Sequence, residues 1–370
     1  MMTIEDAPER TPLRPFNLTL WAVVAPVLAV LAIGLGKPAA IGVAIFLGLL
    51  LGVAIMAAVY HAEILAHYLG EPFGTLVLAV AVTVIELSLI VSIMLGEGAQ
   101  AQALARDTLI AAIMITINGI VGICLLAGGR IHHEQRYTQS GVSAGLAMLA
   151  TLSVLTLVLP NYTTSAPGAF YSPKQLVFVA VISLLIYATF VVAQTIRHRD
   201  HFLPELEDAR DHVHEAPVER SQAIAAGGAL VVALIGVVFL AKNLSPTIEG
   251  AVASAGLPRA LVGIIIAALV LAPEGFAALR AARANRVQTS LNLAIGSALA
   301  TIGLTIPSVA IVALILGLDL EMGLSMRSTV LLALTLLVAT LTLSRGRTTM
   351  VQGVIHLVIF ATYLFTTIVP

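Results

Sequence analysis

Long apolar stretches and short polar segments alternate along the whole chain. Each apolar stretch is about 20 residues long, which as an α-helix crosses a bilayer hydrocarbon core of about 30 Å. The pattern gives eleven candidate spans, at 18–36, 38–60, 73–95, 107–127, 141–160, 175–195, 222–241, 258–280, 289–316, 327–344 and 350–368. A transmembrane β-barrel would need shorter segments of alternating polarity, and the sequence has none. The pattern predicts an all-α integral membrane protein with eleven transmembrane helices.

Composition indicates a chain that lies almost entirely in the lipid bilayer. Of its 370 residues, 59% are hydrophobic and 11% are charged, whereas soluble proteins carry about 25% charged residues. The net charge of −1 argues against nucleic acid as a partner. The oligomeric state does not follow from these features.

The basic residues predict how the spans are oriented. With residues 1–17 as a cytoplasmic tail and 18–36 as an uncleaved leading helix, thirteen of the 19 Lys and Arg residues fall on the cytoplasmic side. Cytoplasmic loops of membrane proteins carry such an excess. We therefore expect a multi-pass protein of the bacterial inner membrane with a periplasmic C-terminus.

The longest polar segment, 197–221, divides the remaining spans into two groups of five, 37–196 and 222–370. Both groups contain a glutamate, a glycine, a proline and an intramembrane glutamate in that order. These are Glu63, Gly70, Pro72 and Glu86 in the first group, and Glu249, Gly256, Pro258 and Glu274 in the second. Gly-x-Pro could simply mark the start of any helix, but the fuller match favours an internal repeat.

An internal repeat of five spans must be inverted, because five is odd and the second group enters the membrane from the opposite side. Inverted repeats are common in secondary transporters, where the substrate site lies near the bilayer midplane between the repeats. The pattern therefore predicts one leading helix followed by two inverted five-helix repeats.

Two carboxylates lie inside apolar runs, Glu86 in the first repeat and Glu274 in the second. An ionised carboxylate at the centre of a membrane helix costs about 2.5–3.5 kcal/mol on the mildest scale, so such residues usually face a cavity and serve a function. The alternative is that each is protonated and bonds a neighbouring helix. One carboxylate in each repeat favours convergence on a single site.

Neutral oxygens accompany the two carboxylates. The candidates are Thr83, Ser88, Ser92, Thr116 and Asn118 in the first repeat, and Asn292, Ser297, Thr301, Thr305 and Ser308 in the second, where Gly296 and Gly303 allow close approach. Any single hydroxyl could instead bond its own helix. Hard cations such as calcium take oxygen ligands. A carboxylate in an apolar site also takes up a proton more readily than one in water, so proton and cation would compete, as cation/proton exchange requires.

Several stretches resemble the calcium/cation:proton antiporters of the calcium:cation antiporter superfamily, and among them the bacterial calcium(sodium, potassium)/proton antiporters of the ChaA type. The similar stretches are HAEILAHYLGEPFGTL, VIELSLIVSIM, ARDTLIAAIMI, LAPEGFAALRA and GSALATIGLTIP. The resemblance implies that family's fold, a leading helix plus two inverted five-helix repeats. It also implies that Glu86 and Glu274 are the exchange carboxylates.

The resemblance assigns further positions. Asn118 matches the polar position in the span after the first glutamate, and Gly296-Ser297 match a Gly-Ser opening in the second repeat. One departure concerns the Gly-Asn pair that the wider exchangers carry before each glutamate. Here those positions are Val82-Thr83 and Val270-Leu271, which leaves sodium and potassium open beside calcium.

Two further groups of residues are candidates for accessory roles. The repeat alone suggests Glu63 and Glu249 for gating or proton relay. The central segment contains His198, His201, Asp208, Asp211, His212 and His214. It is either a solvated linker or a cytosolic sensor of calcium or pH, since histidine titrates near neutrality.

Together these features predict a secondary-active cation/proton antiporter without a cofactor. It would export calcium, or sodium and potassium, against inward proton flow. A cation channel is the alternative, although no re-entrant filter segment is evident between the spans. An intramembrane enzyme is disfavoured. Such an enzyme would need a nucleophile, a metal triad or a carboxylate pair with positioned water, and only the carboxylate pair is present.

Overall fold

The computed structural model describes residues 19–38, 40–70, 73–97, 102–202 and 218–369. Within these ranges the chain forms eleven apolar helices. They are α1 (Leu20–Leu35), α2 (Ile41–Leu69), α3 (Phe73–Glu97), α4 (Leu104–His132), α5 (Gln139–Tyr162), α6 (Pro173–Arg197), α7 (Arg220–Ser254), α8 (Ala260–Arg283), α9 (Val287–Leu316), α10 (Met326–Leu343) and α11 (Met350–Ile368). Nine of the described helices are long and apolar enough to cross a membrane. The predicted all-α membrane fold with eleven helices is therefore confirmed, and the crossing of the membrane by all eleven stays a prediction.

Two helices extend well beyond their predicted ends. Helix α2 continues from the predicted end at 60 to Leu69, and α7 continues from 241 to Ser254 across Pro246. Polar residues lower the hydropathy at both predicted ends, but between residue 60 and Gly70 the chain has no residue that breaks a helix. Gly70 and Gly256 then take left-handed backbone angles, with φ of 64° and 67°, which glycine adopts without steric cost.

Helix α4 changes its winding midway along its length. Residues Met114–Ile120 form a π-helical turn, and α-helix resumes at Val121. Such turns are rare and are frequent at functional sites. The turn contains Asn118, which is fully buried.

The two halves of the chain interlock. Helix α4 packs against α8, α10 and α11 of the second half, and α9 packs against α3, α5 and α6 of the first half. Helices α2 and α7 lie along each other. If each helix of α2–α6 is matched in order with one of α7–α11, every one of these contacts has a counterpart in the other half. Two copies of one five-helix unit would give this symmetry. The inverted orientation of the halves stays a prediction.

Arginines gather at one end of the helix bundle, here called the arginine-rich end. It contains a short antiparallel ribbon of β1 (Glu134–Arg136) and β2 (Arg347–Thr349), together with the ends of α4, α6 and α8 at Arg130, Arg197 and Arg283. The same end carries the start of the central segment.

Candidate functional site

A cavity of about 110 Å³ lies between α3, α6, α8 and α9. Five of the predicted oxygen-bearing residues line it: Thr83, Glu274, Asn292, Ser297 and Thr301. The cavity also extends toward the arginine-rich end, where Gln194 and Asn292 line it. Along α9, Asn292 and Thr301 are separated by about 14 Å. The cavity therefore runs from the arginine-rich end to the middle of the bundle.

Glu86 is enclosed beside the inner end of this cavity. The residue is only 2% exposed, and among the described residues neither of its carboxylate oxygens has a hydrogen-bond partner. The hydroxyls of Thr301 and Thr305 lie beside the carboxylate, and the Thr305 hydroxyl is itself buried without a hydrogen bond among described residues. Buried polar groups are normally bonded, so this cluster is suited to receiving a ligand or a proton.

Glu274 is held from α9 and lines the cavity directly. The hydroxyl of Ser297 donates a hydrogen bond to its Oε2. Glu274 and Glu86 are also close enough to interact electrostatically, so they repel each other when both are ionised. The preceding residue, Pro273, has no backbone N–H, which leaves one carbonyl of α8 without its helical bond.

Helix α9 supplies neutral oxygens to both carboxylates, because Ser297 faces Glu274 while Thr301 and Thr305 face Glu86. Gly303 lets α6 approach this face: a Cβ there would lie 2.9 Å from Cγ of Tyr187. The same expectation for Gly296 is not supported, because a Cβ there would meet nothing closer than 3.9 Å.

A cation in this cavity would rely on few charged ligands. No cluster of three or more His, Cys, Asp or Glu side chains occurs in the part of the chain that the structure describes. Two carboxylates together with the hydroxyls of Thr83, Ser297 and Thr301 provide oxygen ligands only, the chemistry that hard cations prefer. The arrangement can bind a cation and can equally bind protons.

Asn118 is not among the residues that line the cavity. Its Nδ2 donates to Oγ1 of Thr335 at 2.8 Å, and its Oδ1 lies 3.0 Å from Nδ1 of His356. His356 is fully buried and contacts Oγ1 of Thr342 at 2.9 Å. Asn118 therefore connects the π-helical turn of α4 to α10 and α11, which the sequence analysis did not anticipate.

The candidate gating glutamates lie near the ends of the two extended helices. Glu63 is partly buried in the last turns of α2. Glu249, near the end of α7, accepts a hydrogen bond of 2.5 Å from Ser245. Neither lines the carboxylate cavity.

The start of the central segment closes the cavity at the arginine-rich end. The ring of Phe202 packs edge to face on Phe190, which lines the cavity, with 5.8 Å between centroids. The backbone oxygen of Phe202 accepts a hydrogen bond of 2.6 Å from Asn292. His198 and His201 stack nearby at 5.2 Å. The other sensor candidates, Asp208, Asp211, His212 and His214, lie outside the described residues.

Sequence reasoning missed the contribution of α6. Tyr187, Phe190 and Gln194 line the cavity, yet they lie in an apolar span with no acidic residue. Aromatic residues in such a span are ordinary lipid-facing or core residues by pattern alone, and only the packing of α6 on α9 distinguishes them.

An ion-pair cluster lies at the opposite end of the bundle. Arg106 at the start of α4 bonds Asp107 at 2.9 Å and Glu321 at 2.5 Å, and it donates to the backbone of Gly323. The cluster therefore ties α4 to the connection between α9 and α10. Arg106 and Asp107 are adjacent in sequence, and their ion pair is part of this larger cluster.

Comparisons with known proteins point to one family. The model of the sodium/calcium exchanger protein family matches residues 39–196 and 226–369. The chain is 47% identical over 325 residues to the putative ionic transporter y4hA of Sinorhizobium fredii, covering 87% of each chain. It is 36% identical over 348 residues to the sodium-potassium/proton antiporter ChaA of Escherichia coli, covering 92% of this chain and 94% of that one.

Solved structures show the same fold. Native YfkE superposes with a TM-score of 0.71 at 17% identity, covering 95% of this chain and 99% of that one. The H+/Ca2+ exchanger CAX superposes with a TM-score of 0.72 at 15% identity, covering 93% of this chain and 86% of that one.

Proposed function

The chain belongs to the sodium/calcium exchanger protein family, and on this premise we propose that it exports calcium, or sodium and potassium, in exchange for protons. Membership makes it a multi-pass membrane transporter of the cation/proton antiporter kind rather than an enzyme. The observation that carries the proposal is the pairing of Glu86 and Glu274 beside one cavity whose other ligands are hydroxyls.

In the proposed mechanism the two carboxylates hold either a cation or protons. A cation entering from the arginine-rich end displaces the protons, and Ser297 and Thr301 replace part of its hydration shell. Protonation from the opposite side removes the negative charge that holds the cation, which then leaves. Thr83 completes the ligand set on α3. Glu63 and Glu249 relay protons or gate access at the ends of α2 and α7.

Alternating access requires that one end closes while the other opens. The cavity reaches toward the arginine-rich end, whereas the Arg106–Asp107–Glu321 cluster ties the opposite end together. In the proposal the arginine-rich end is cytoplasmic, in a bacterial inner membrane, and Phe202 covers the cavity on that side.

The choice of cation rests on two observations. The relative of Escherichia coli is named a sodium-potassium/proton antiporter, and Leu271 stands where calcium exchangers carry an additional oxygen ligand. Both observations favour monovalent cations beside calcium. The missing oxygen at Leu271 leaves this site with fewer ligands than the six to eight that calcium usually takes.

The test is cation-induced proton release from acidified everted membrane vesicles, measured with a pH-sensitive dye for calcium, sodium and potassium in turn. We expect the wild type to release protons, and Glu86→Gln and Glu274→Gln each to abolish the release. Glu134→Gln is the matched control, because this glutamate is exposed in the ribbon and its ion pairs are long, at 3.7 and 3.9 Å.

Two results would contradict the proposal. Proton release that persists in both cavity variants would show that these carboxylates do not exchange ions. Cation flux that follows voltage without moving protons would favour the channel instead.

A further inference from the structure

A second cavity opens on the lipid-facing side of the bundle, between α4, α8 and α11. It has a volume of about 380 Å³, within the range of about 300–1,000 Å³ for small-molecule pockets. Its lining is apolar and includes Ile123, Ala268, Phe276, Leu279 and Leu364. We call it the α4–α8–α11 groove. Ile123 is 45% exposed and Phe276 59% exposed, so the groove is accessible from the membrane.

The groove is long and follows α8. Its lining residues on α8 extend from Ile264 to Leu279, a rise of about 22 Å. The bilayer core is about 30 Å thick, so the groove covers most of its depth. A long hydrocarbon chain fits this shape, because the lining side chains are apolar except for the weakly polar thiol of Cys124.

Three arginines continue the groove beyond its apolar lining. On α8, Arg280 follows Phe276 by one helical turn, and Arg283 follows Leu279 in the same way. On α4, Arg130 follows Ile123 by two turns. Residues spaced by three, four or seven lie on one helix face, so all three side chains lie on the faces that line the groove. All three residues are exposed.

The ends of α4 and α8 that carry these arginines are adjacent. Nε2 of His132 lies 2.8 Å from the backbone oxygen of Arg283. Within the described part of the chain, no carboxylate forms an ion pair with Arg130, Arg280 or Arg283. The positive charge at the mouth of the groove is thus available to an anionic group.

We infer that the α4–α8–α11 groove binds an anionic phospholipid, with an acyl chain in the groove and its phosphate between Arg130, Arg280 and Arg283. Basic pockets between helices on the cytoplasmic side recognise anionic headgroups in this way. The lipid would contact the turn of α8 that contains Gly275 and Phe276, directly beside Glu274. The lipid would therefore pack against α8, the helix that carries Glu274, on the face that lines the groove.

The test uses native mass spectrometry of the purified full-length protein, with phosphatidylglycerol or phosphatidylcholine added to the detergent. We expect the wild type to retain phosphatidylglycerol in preference to phosphatidylcholine. The double variant Arg280→Gln with Arg283→Gln should lose that preference. Ala268→Phe should lose the bound lipid while all charges remain, because Ala268 lies in open space on the groove wall.

Matched controls separate the groove from general surface effects. Arg345→Gln removes an exposed arginine at the same end, and Ala188→Phe adds a ring to an exposed face of α6. Both should bind phosphatidylglycerol as the wild type does. Equal retention of the two lipids by the wild type would overturn the inference, as would equal losses in the controls. It would also be overturned if Ala268→Phe changed only the oligomeric state, since a second copy of the chain would then occupy the groove.

Discussion

Thr301 lies beside Glu86 and lines the carboxylate cavity, so its hydroxyl can be tested as a cation ligand. Thr301→Val keeps the size of the side chain and removes the oxygen. We expect cation affinity to fall about fivefold, the equivalent of one hydrogen bond of about 1 kcal/mol, measured as the half-saturating cation concentration in the vesicle assay.

Thr189→Val on α6 is the matched control for Thr301→Val. Thr189 is exposed, and its hydroxyl bonds only to the backbone oxygen of Leu185 within the described chain. Its substitution should leave the half-saturating concentration unchanged. Equal affinities for wild type and Thr301→Val would remove this hydroxyl from the ligand set.

Tyr137 next to the ribbon gives a pH dependence of stability. Burial raises the pKa of Tyr137 to about 12, against about 10 in the unfolded chain. Between these values the unfolded state releases the proton and the folded state retains it, so stability falls as pH rises from 10 to 12. We expect a loss of up to about 2.7 kcal/mol, seen as a falling thermal midpoint in detergent.

Tyr137→Phe should remove most of this alkaline loss, because the variant has no phenol to ionise. Tyr162→Phe is the control, since Tyr162 is 68% exposed. An identical alkaline profile for wild type and Tyr137→Phe would show that other groups cause the loss.

The sequence predicted the two carboxylates and several of their hydroxyl neighbours, since a charge in an apolar run is visible in any reading of the chain. It could not predict which oxygens face which carboxylate. Thr301 and Asn118 look equally suitable by pattern, yet Thr301 lines the cavity and Asn118 bonds α10 and α11. That difference depends on helix rotation, which the π-helical turn alters locally.

At the scale of single elements, the π-helical turn of α4 is fixed to α11 through Asn118 and His356. His356→Phe would leave the buried oxygen of Asn118 without a partner, at a cost of about 1–3 kcal/mol. We expect a lower thermal midpoint for this variant and for Asn118→Leu. A double-mutant cycle should show coupling, because the two side chains share one bond.

The same variants distinguish a bridging role from a ligand role for Asn118. If it bridges helices, the half-saturating cation concentration should stay close to that of the wild type in both single variants. A much weaker cation affinity in Asn118→Leu, with an unchanged thermal midpoint, would instead make Asn118 a ligand.

Phe202 closes the cavity at the arginine-rich end, so its removal should open that path. We expect Phe202→Ala to speed the labelling of Ala300→Cys by a membrane-impermeant thiol reagent in everted vesicles, with Cys124 replaced by serine. Ala300 lines the cavity and is 7% exposed. The measurement is the labelling rate.

Phe178→Ala on α6 is the control for the Phe202 experiment, because Phe178 is 64% exposed and lies away from the cavity. Its rate should equal that of the parent variant. If Phe202→Ala also labels at the parent rate, Phe202 does not restrict access.

For the whole molecule, the distribution of arginines predicts which side each end faces. With Cys124 replaced by serine, Ser165→Cys should react with an impermeant maleimide in intact cells. Ser221→Cys at the arginine-rich end should react only after the membrane is permeabilised. Both residues are exposed. The opposite result would reverse the proposed direction of transport.

The overall architecture follows from hydropathy more completely than the site does. The number of helices depends on the lengths of apolar runs, which the bilayer fixes. The last turns of α2 and α7 were not predicted. Hydropathy indicates which residues contact lipid, and these turns remain helical beyond the most apolar part of each helix. The packing of the two halves against each other involves residues far apart in the chain, which hydropathy does not report. The only indication of it in the sequence was the repeated order of glutamate, glycine and proline in the two halves.

The unequal enclosure of Glu86 and Glu274 has a kinetic consequence for an exchanger of this shape. Glu274 lines the cavity directly, whereas Glu86 is not part of the lining, lies beside Thr301 and is almost fully shielded. An ion arriving from the arginine-rich end meets Glu274 first and Glu86 second, so occupancy is ordered rather than simultaneous. Rapid mixing with cation should then liberate hydrogen ions in a fast burst followed by a slower phase, each belonging to one carboxylate.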